Sequence, residues 1–174
     1  VGVPDSALSA AARFARTLNV PYETGLIKNR YIGSTFIRPT EQQRMQGMRV
    51  RLNAISSVVK DKRVYLVDDS VVKGFTSRRI CQLLKEAGAK EVHLRIASPM
   101  LKYPCLYGAD STAQKDLAAF NYTVDEMEQL FQVDSLRFLS VEDFKKCVPE
   151  TSCLACCTGE CPEDLQDYKD EVKE

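Results

Sequence analysis

The chain has 174 residues with 24 basic and 24 acidic side chains, so its formal net charge at neutral pH is zero. This balance argues against a general nucleic-acid or membrane-surface binder, although it is compatible with a local anion site. With 44% hydrophobic residues, the length suits one globular domain with a real core. No apolar run approaches a membrane span and no secretory signal is visible, so we expect an intracellular chain.

The first residues predict a strand followed by a helix. Val1 to Pro4 is typical of the end of a buried strand, and because a domain rarely opens inside its core sheet, we expect an N-terminal truncation. Apolar residues at helical spacing predict a helix from about Ala7 to Leu18. Ser6 precedes this helix and is expected to be its N-cap.

Residues 21–38 form a polar stretch with scattered aromatic side chains, which we interpret as a loop with some strand character. The stretch carries Lys28 and Arg30, whose charges suit either an anionic ligand or plain solvent. Composition alone does not choose between these two interpretations. Glu41 to Val59 then predicts a helix, because its apolar residues recur on one face.

The chemistry of the chain is concentrated in residues 63–77. Val64 to Val67 is a short apolar, β-rich run and predicts a buried strand. Asp68 and Asp69 follow directly, and two adjacent carboxylates at the end of a buried strand are costly unless a cation or a row of donors meets them. The pair is therefore a candidate site for a cation or for the vicinal hydroxyls of a sugar.

A loop rich in hydroxyl groups, Ser70 to Ser77, connects this strand to a predicted helix. Gly74 lets the backbone approach a ligand closely, and the helix start offers free N–H groups at a positive dipole end. The hydroxyls of Ser70, Thr76 and Ser77 complete a phosphate cradle beside the acidic pair, so a sugar phosphate fits both halves. The alternative is an ordinary capped helix beside two solvated aspartates.

The helix after the loop is predicted to run to about Ala87, with Gly88 at its end, and Glu91 to Ala97 is predicted to be the next strand. A strand–helix–strand unit implies a parallel sheet whose ligands bind at the carboxyl ends of the strands. Further helices are predicted at residues 113–120, 124–131 and 141–147, and a strand at 135–139. His93, the one histidine, lies in a strand pattern and is expected to be a packed or surface residue rather than a catalytic base.

Seven cysteines need a separate explanation. An odd number in a chain without a secretory signal argues against a disulfide framework. Five of them lie between Cys147 and Cys161, and Cys153-x-x-Cys156 can place two thiolates on one ion or cluster. Zinc, a redox pair, an iron–sulfur centre and incidental thiols all stay open from this spacing alone. Cys81 is expected to lie on the buried face of the predicted helix that follows the loop.

Several motifs together carry a resemblance to a known family. The segment Val67-Asp68-Asp69-Ser70-Val71-Val72-Lys73-Gly74-Phe75-Thr76-Ser77 resembles the phosphoribosyl-pyrophosphate loop of type I phosphoribosyltransferases. Nearly the whole chain further resembles the glutamine phosphoribosylpyrophosphate amidotransferases of that family, in their iron–sulfur branch. The matching stretches are residues 1–6, 25–33, 35–37, 86–93, 140–142, 153–156 and 158–159.

This resemblance implies an α/β fold, a parallel sheet flanked by helices with a cysteine-rich C-terminal extension. It implies a phosphoribosyltransferase domain at residues 1–148 and a cluster-binding segment with a charged tail at residues 149–174. The implied substrate-binding positions are Asp5, Ser6, Lys28, Arg30, Asp68, Asp69, Ser70, Lys73, Gly74, Phe75, Thr76 and Ser77. The implied magnesium ligands are Ser6, Asp68 and Asp69, and no catalytic residue is assigned beyond these positions.

Three positions depart from the pattern of the family. Lys73 replaces the usual Arg, which keeps the charge but loses the planar fork, and Phe75 replaces a usual Thr, which removes a hydroxyl from the cradle. Ser34 replaces an Arg in the stretch that the resemblance identifies as a flap closing over the substrate. We expect phosphate binding to survive, because backbone N–H groups provide much of it.

For the cysteines, the resemblance implies a 4Fe-4S cluster that acts as a structural staple, since the reaction has no redox step. Cys105, Cys153 and Cys156 match three of its ligands, and the fourth is expected in a segment upstream of Val1. Cys147, Cys157 and Cys161 receive no role from the resemblance.

The implied activity is the transfer of ammonia to phosphoribosyl pyrophosphate, which gives 5-phosphoribosylamine and pyrophosphate in the first step of purine biosynthesis. In the family, a glutaminase domain that this chain lacks supplies the ammonia. Nucleotide feedback inhibitors, a homo-oligomer and a cytoplasmic location (plastid in a plant) are also expected. Two alternatives stay open: a salvage phosphoribosyltransferase that adds a nucleobase, and a non-catalytic module that binds phosphoribosyl pyrophosphate. The flap and cysteine motifs argue against a salvage enzyme. The lack of a visible DNA-binding segment argues against a non-catalytic module of the transcription-regulator kind.

Overall fold

The structure is a computed structural model that describes residues 1–29, 52–105, 107 and 112–161. The described elements are α1 (Leu8–Leu18), β1 (Leu26–Lys28), β2 (Leu52–Ala54), α2 (Ser56–Val59), β3 (Arg63–Asp68), α3 (Phe75–Glu86), β4 (Glu91–Ile96), a 3-10 helix (Gln114–Asp116), α4 (Ala118–Asn121), α5 (Val124–Phe131), β5 (Ser135–Phe138), α6 (Val141–Lys145) and α7 (Ala155–Thr158). Residues 30–38 of the predicted flap, residues 41–51 and the charged tail lie outside the described residues.

A parallel sheet with the strand order β3-β4-β5 forms the centre of the described chain. β3 pairs with β4 up to Asp68, which lies opposite Ile96. On the other side of β3, Gly2 forms a parallel bridge with Val67, and the N–H of Val3 donates to the Val67 carbonyl at 2.9 Å. The first residues of the chain therefore reach the same edge of the sheet as the end of β3.

The core lies between one face of this sheet and the helices α3 and α5. Leu66, Leu94 and Leu136 stand side by side on three neighbouring strands, and each is 0% exposed. Ile80 of α3 and Phe131 of α5 belong to the same buried cluster. Burial of a side chain of this size contributes about 1.5–3 kcal/mol relative to exposure, so this layer fixes the strands whose ends carry the site.

Two predicted elements differ from the structure. Leu52–Ala54, predicted to be helical, forms the strand β2, which pairs antiparallel with β1. A segment of three residues has too little periodicity to separate helix from strand, and its pairing with β1 decides its state. The helix predicted over residues 113–120 is a 3-10 turn followed by α4, with Leu117 between them in an extended conformation.

Other predicted elements are present at nearly the predicted bounds. α5 begins with a capping box, in which the Thr123 hydroxyl accepts the N–H of Glu126 and the Glu126 carboxylate accepts the N–H of Thr123. α3 ends at its C-cap Ala87, and Gly88 follows with a left-handed φ of 95°. Within the described ranges, no helix is long and apolar enough to cross a membrane.

Candidate functional site

Asp68 and Asp69 lie at the carboxyl end of β3, where the sequence predicts a ligand site. Asp68 is 6% exposed, and its Oδ1 accepts the backbone N–H of Asp69 at 2.9 Å. Asp69 is exposed, and its Oδ1 accepts the hydroxyl of Ser70 at 3.0 Å. Among the described residues, neither carboxylate forms an ion pair with a Lys or Arg. Burial and the neighbouring charge of Asp69 raise the pKa of Asp68 to about 7, so a cation or hydroxyl donors would stabilise its ionised form.

The loop at residues 70–74 leads from this acidic pair into α3. Gly74 occupies the N-cap with a φ of 80°, and no side chain caps the helix start. The first N–H groups of α3 therefore have no side-chain acceptor, and they lie at the positive end of a helix of 12 residues. Thr76 is exposed, Phe75 is 52% exposed and Ser77 is buried. Backbone donors beside two carboxylates are an arrangement that suits a phosphate group next to a diol.

The turn at residues 4–6 lies at the same edge of the sheet, because it follows the bridge between Gly2 and Val67. Lys28, the last residue of β1, reaches this turn, and its ammonium nitrogen lies 2.9 Å from Oδ2 of Asp5. Ser6 is exposed in the same turn. The structure thus brings Lys28 and Asp5 into contact, while their predicted role in binding substrate stays a prediction.

The prediction that Ser6 caps α1 is wrong. The N-cap of α1 is Ala7, and no side chain there accepts a hydrogen bond from the helix. Ala7 is 0% exposed, so the residue at the start of the helix is packed in the core. The hydroxyl of Ser6 is consequently not needed at the helix end.

One of the predicted cationic positions pairs with a residue outside the acidic pair. Lys73 forms an ion pair of 2.7 Å with Asp116 at the end of the 3-10 helix. Arg30 lies outside the described residues, as does Ser34, so their roles stay predictions. Sequence reasoning did not single out Asp116, because 43 residues separate it from Lys73 and no recognisable motif contains it.

The predicted cluster ligands come from two segments that backbone hydrogen bonds join. The N–H groups of Lys102 and Tyr103 both donate to the carbonyl of Cys156, at 2.9 and 3.0 Å. Cys105 and Cys156 are half-buried and Cys153 is exposed. In the part of the chain that the structure describes, no three Cys, His, Asp or Glu side chains gather closely enough to hold a metal ion. Thiolates suit an iron–sulfur centre chemically, but the assembled ligand set stays a prediction.

The structure also defines a contact between Cys156 and Cys157 and the burial of Cys81. The Sγ atoms of Cys156 and Cys157 lie 3.9 Å apart. The hydrogen bond from Cys157 lowers the pKa of Cys156, and the same contact raises the pKa of Cys157. Cys81 is 0% exposed in α3, as predicted, and burial raises its pKa to about 12.

A separate cavity of about 370 Å³ is lined in part by Phe14, Tyr65 and His93 and by none of the predicted substrate or metal positions. His93 lies on β4, where its Nδ1 is 2.9 Å from the Ser135 hydroxyl and its Nε2 is 3.0 Å from the Glu91 carboxylate. The histidine is therefore a packed strand residue, as predicted.

The chain is similar to proteins of known family. The model of the "Phosphoribosyl transferase domain" family matches residues 1–126. The amidophosphoribosyltransferase of Bacillus subtilis (strain 168) is 48% identical over 178 aligned residues, which cover 98% of this chain and 37% of that protein. The amidophosphoribosyltransferase of Methanocaldococcus jannaschii is 46% identical over 164 residues, which cover 94% of this chain and 35% of that protein. The chain thus spans little more than a third of the length of these relatives.

Two solved structures are similar to the fold described above. Glutamine phosphoribosylpyrophosphate amidotransferase from B. subtilis, complexed with ADP and GMP, has a TM-score of 0.82 and 49% identity and covers 95% of this chain and 38% of its own. A structure described as the allosteric regulatory enzyme of purine biosynthesis has a TM-score of 0.83 and 49% identity and covers 99% of this chain and 39% of its own. The predicted fold class, a parallel sheet flanked by helices, is confirmed.

Proposed function

Because the chain belongs to the phosphoribosyl transferase domain family, we propose that it is the synthase part of an amidophosphoribosyltransferase. In this reaction ammonia attacks the anomeric carbon of phosphoribosyl pyrophosphate. A C–N bond forms, the C–O bond to pyrophosphate breaks, the nitrogen loses a proton, and 5-phosphoribosylamine results. One observation carries the proposal: the Asp68–Asp69 pair at the end of β3 adjoins a loop that enters the uncapped start of α3. The similar amidophosphoribosyltransferases favour ammonia as the nucleophile.

In the proposed complex, the substrate lies along the carboxyl edge of the sheet. The 5′-phosphate binds the loop and the first turn of α3, and the ribose hydroxyls bind the acidic pair. The pyrophosphate lies at the turn that holds Asp5, where the ammonium group of Lys28 already contacts this turn at 2.9 Å. The proposed substrate contacts are Asp5, Ser6, Lys28, Arg30, Asp68, Asp69, Ser70, Gly74, Phe75, Thr76 and Ser77.

Magnesium is the proposed metal cofactor, with Ser6, Asp68 and Asp69 holding it together with oxygens of the substrate. The donor set fits, since carboxylate and hydroxyl oxygens are ligands that this hard cation prefers. The raised pKa of Asp68, caused mainly by burial, marks a carboxylate that gains from a nearby cation. When bound, the ion neutralises charge on the leaving pyrophosphate.

The contribution of the chain itself is positioning and electrostatic stabilisation. Departure of pyrophosphate builds positive charge on the ribose ring, and the carboxylates of Asp68 and Asp69 stabilise that charge. The N–H groups of the first turn of α3 fix the 5′-phosphate and thereby aim the anomeric carbon at the turn that holds Ser6. We assign no general base, because His93 is engaged by Ser135 and Glu91. The nucleophile therefore has to arrive as neutral ammonia.

We further propose that the chain is divided into a phosphoribosyltransferase domain at residues 1–148 and a cysteine-rich segment at residues 149–174. In the second part, Cys153 and Cys156 join Cys105 as three ligands of a 4Fe-4S staple whose fourth ligand lies outside this chain. The support is the pair of hydrogen bonds that the segment before Cys105 makes to Cys156. Iron and sulfide analysis of anaerobically purified protein tests this, with Cys153→Ser expected to lose the iron and Cys147→Ser to keep it.

The proposed partners follow from the relatives. Ammonia comes from glutamine that is hydrolysed outside this chain, which spans little more than a third of the similar proteins. Because the similar B. subtilis structure contains ADP and GMP, we propose nucleotides as feedback inhibitors. A homo-oligomer is the proposed assembly.

The experiment that tests the function is magnesium-dependent release of pyrophosphate from phosphoribosyl pyrophosphate, under anaerobic conditions, with an ammonium salt and without glutamine. We expect release that requires ammonium and disappears in the Asp68→Asn/Asp69→Asn variant. Release that requires a nucleobase instead would favour a salvage enzyme. Binding without any release would favour a non-catalytic binding module, for which the exposed Phe75 in place of a hydroxyl is the supporting observation.

A further inference from the structure

Lys73, which the sequence predicts to meet the substrate phosphate, is engaged elsewhere. Its Nζ lies 2.7 Å from Oδ2 of Asp116, and the two side chains are 37% and 47% exposed. The hydrogen bond from Lys73 holds the pKa of Asp116 below its usual range, so this group is a carboxylate at neutral pH. The charge of Lys73 is therefore directed at the 3-10 helix and is balanced there.

Asp116 lies in a segment that is held by packing and by hydrogen bonds. The residues that follow it, Leu117 and Ala118, are 3% and 2% exposed and anchor the segment in the core. The side-chain amide of Asn121 donates to the carbonyls of Lys115 and Leu117 at 2.7 and 2.8 Å. A partner bound to Asp116 is consequently bound to a fixed point of the fold.

The same segment adjoins the phosphate loop at the two residues that flank Lys73. The N–H of Ala118 donates to the carbonyl of Val72 at 2.8 Å. At Gly74, a Cβ would meet the Cβ of Ala118 at 3.5 Å, so the loop passes close to this segment. Lys73 lies between these two residues and forms the ion pair with Asp116. Three consecutive loop residues, 72–74, are therefore held by the same segment.

We propose that Asp116 is a positioning residue, which acts through Lys73 to hold residues 70–74 in the shape that presents their backbone N–H groups to the 5′-phosphate. This inference rests on the proposed function and deepens it. A loose loop loses conformational entropy when a phosphate orders it, whereas a loop that is already held loses less. Lys73 then contributes through the shape of the loop rather than by contact with the phosphate.

The test compares wild type with Asp116→Asn in two measurements. Hydrogen exchange of the amides of residues 70–74, without ligand, is expected to be faster in the variant. The Kd for phosphoribosyl pyrophosphate with magnesium is expected to rise about two- to fivefold, a factor in the range that an exposed ion pair contributes. The rate of turnover with saturating substrate and ammonium should be unchanged. Asp143→Asn is the matched control. It removes the exposed ion pair of 2.6 Å between Asp143 of α6 and Lys146, and it should change neither the exchange of residues 70–74 nor the Kd.

A charge reversal separates this role from direct phosphate contact. The double variant Lys73→Asp/Asp116→Lys restores the ion pair in the opposite sense, so exchange and Kd should return towards wild type. If Lys73 instead binds the phosphate, Asp116→Asn would lower the Kd and the reversed pair would not rescue binding. Either result would overturn the proposal. Should wild type fail to bind the substrate, the proposed function fails, while the exchange measurement still decides whether Asp116 holds the loop.

Discussion

Gly74 and Phe131 meet where the phosphate loop enters α3, and a Cβ on Gly74 would lie 2.9 Å from the Cε1 and Cζ atoms of the Phe131 ring. Gly74 has a φ of 80°, a conformation that costs other residues about 1–2 kcal/mol. Phe131 is 0% exposed, so its ring is enclosed by the core and cannot turn out into solvent. Backbone strain and contact with the ring therefore both exclude a side chain at this position.

Replacing Gly74 with Ala should lower the free energy of unfolding by about 2–5 kcal/mol, the sum of left-handed strain and overpacking. Urea denaturation followed by circular dichroism measures this loss. Gly88→Ala is the matched control, because Gly88 also has a positive φ of 95° but a Cβ there meets the flexible Lys60 side chain, with Cγ at 3.1 Å. Gly88→Ala should therefore lower the free energy of unfolding only by the cost of the left-handed conformation, about 1–2 kcal/mol. Equal losses in the two variants would contradict the role of the Phe131 ring.

Asp68 should make stability depend on pH. Its pKa is raised from 3.8 to about 7, so the folded state binds this proton more tightly than the unfolded state does. The stabilising contribution is fully present below about pH 4 and is lost as the pH rises through 7. Asp68→Asn has no charge to bury. Without ligand at pH 8, its free energy of unfolding should therefore exceed that of wild type by up to about 4 kcal/mol. Thermal or urea unfolding of both proteins between pH 4 and 8 tests this.

The control for this pH series is Asp61→Asn. Asp61 is exposed with a φ of 60°, a conformation that Asn also tolerates. The difference in free energy of unfolding between Asp61→Asn and wild type should stay constant over the same pH range. A constant difference for Asp68→Asn as well would show that Asp68 does not retain its proton in the folded state.

Lys28→Met should separate stability from ligand binding. The ion pair with Asp5 is exposed, at 35% and 49% for the two side chains, so its loss should cost less than about 1 kcal/mol of folding free energy. If Lys28 meets the pyrophosphate, the KM for phosphoribosyl pyrophosphate should rise about tenfold or more, because a hydrogen bond to a charged group is lost. Lys146→Met removes another exposed cation and should leave KM unaltered. A KM within twofold of wild type in Lys28→Met would remove this residue from the proposed site.

Thiol labelling should divide the cysteines by their surroundings. Cys81 is 0% exposed with a pKa of about 12, so it should resist iodoacetamide at pH 8 in the folded protein. Cys147 and Cys153 are exposed and should be labelled readily in protein without a cluster. Mass spectrometry of proteolytic peptides reads the modification at each position. Labelling of Cys81 as fast as Cys147 would mean that α3 opens locally or that this thiol is not buried.

The fold was predictable wherever a local pattern determines the structure. The apolar run before Asp68 has to be buried, and the capped segment at Val124–Phe131 has its own start signal at Thr123. The apolar pattern predicts helix at Leu52–Ala54, but these three residues form a strand through their pairing with Leu26–Lys28. No pattern within the segment records that partner.

The candidate site divides in the same way. Asp68, Asp69 and the loop are recognisable in the sequence as a candidate site, because they are contiguous and their residue types have direct chemical meaning. Asp116 was not found, since its importance arises only when the fold brings it to Lys73. The residue type of Ser6 predicts a helix cap, whereas the structure has the buried Ala7 at the N-cap without a side-chain hydrogen bond.

The outer edge of β5 has a consequence for the behaviour of the protein in concentrated solution. Among the described residues, β5 pairs only with β4. The N–H of Leu136 donates to Oε1 of Glu128 at 2.7 Å, and its carbonyl accepts from Nη1 of Arg137 at 2.6 Å. A strand from another molecule would have to displace both charged side chains before it could pair with Leu136. This edge is therefore a poor template for the intermolecular β-pairing that begins aggregation.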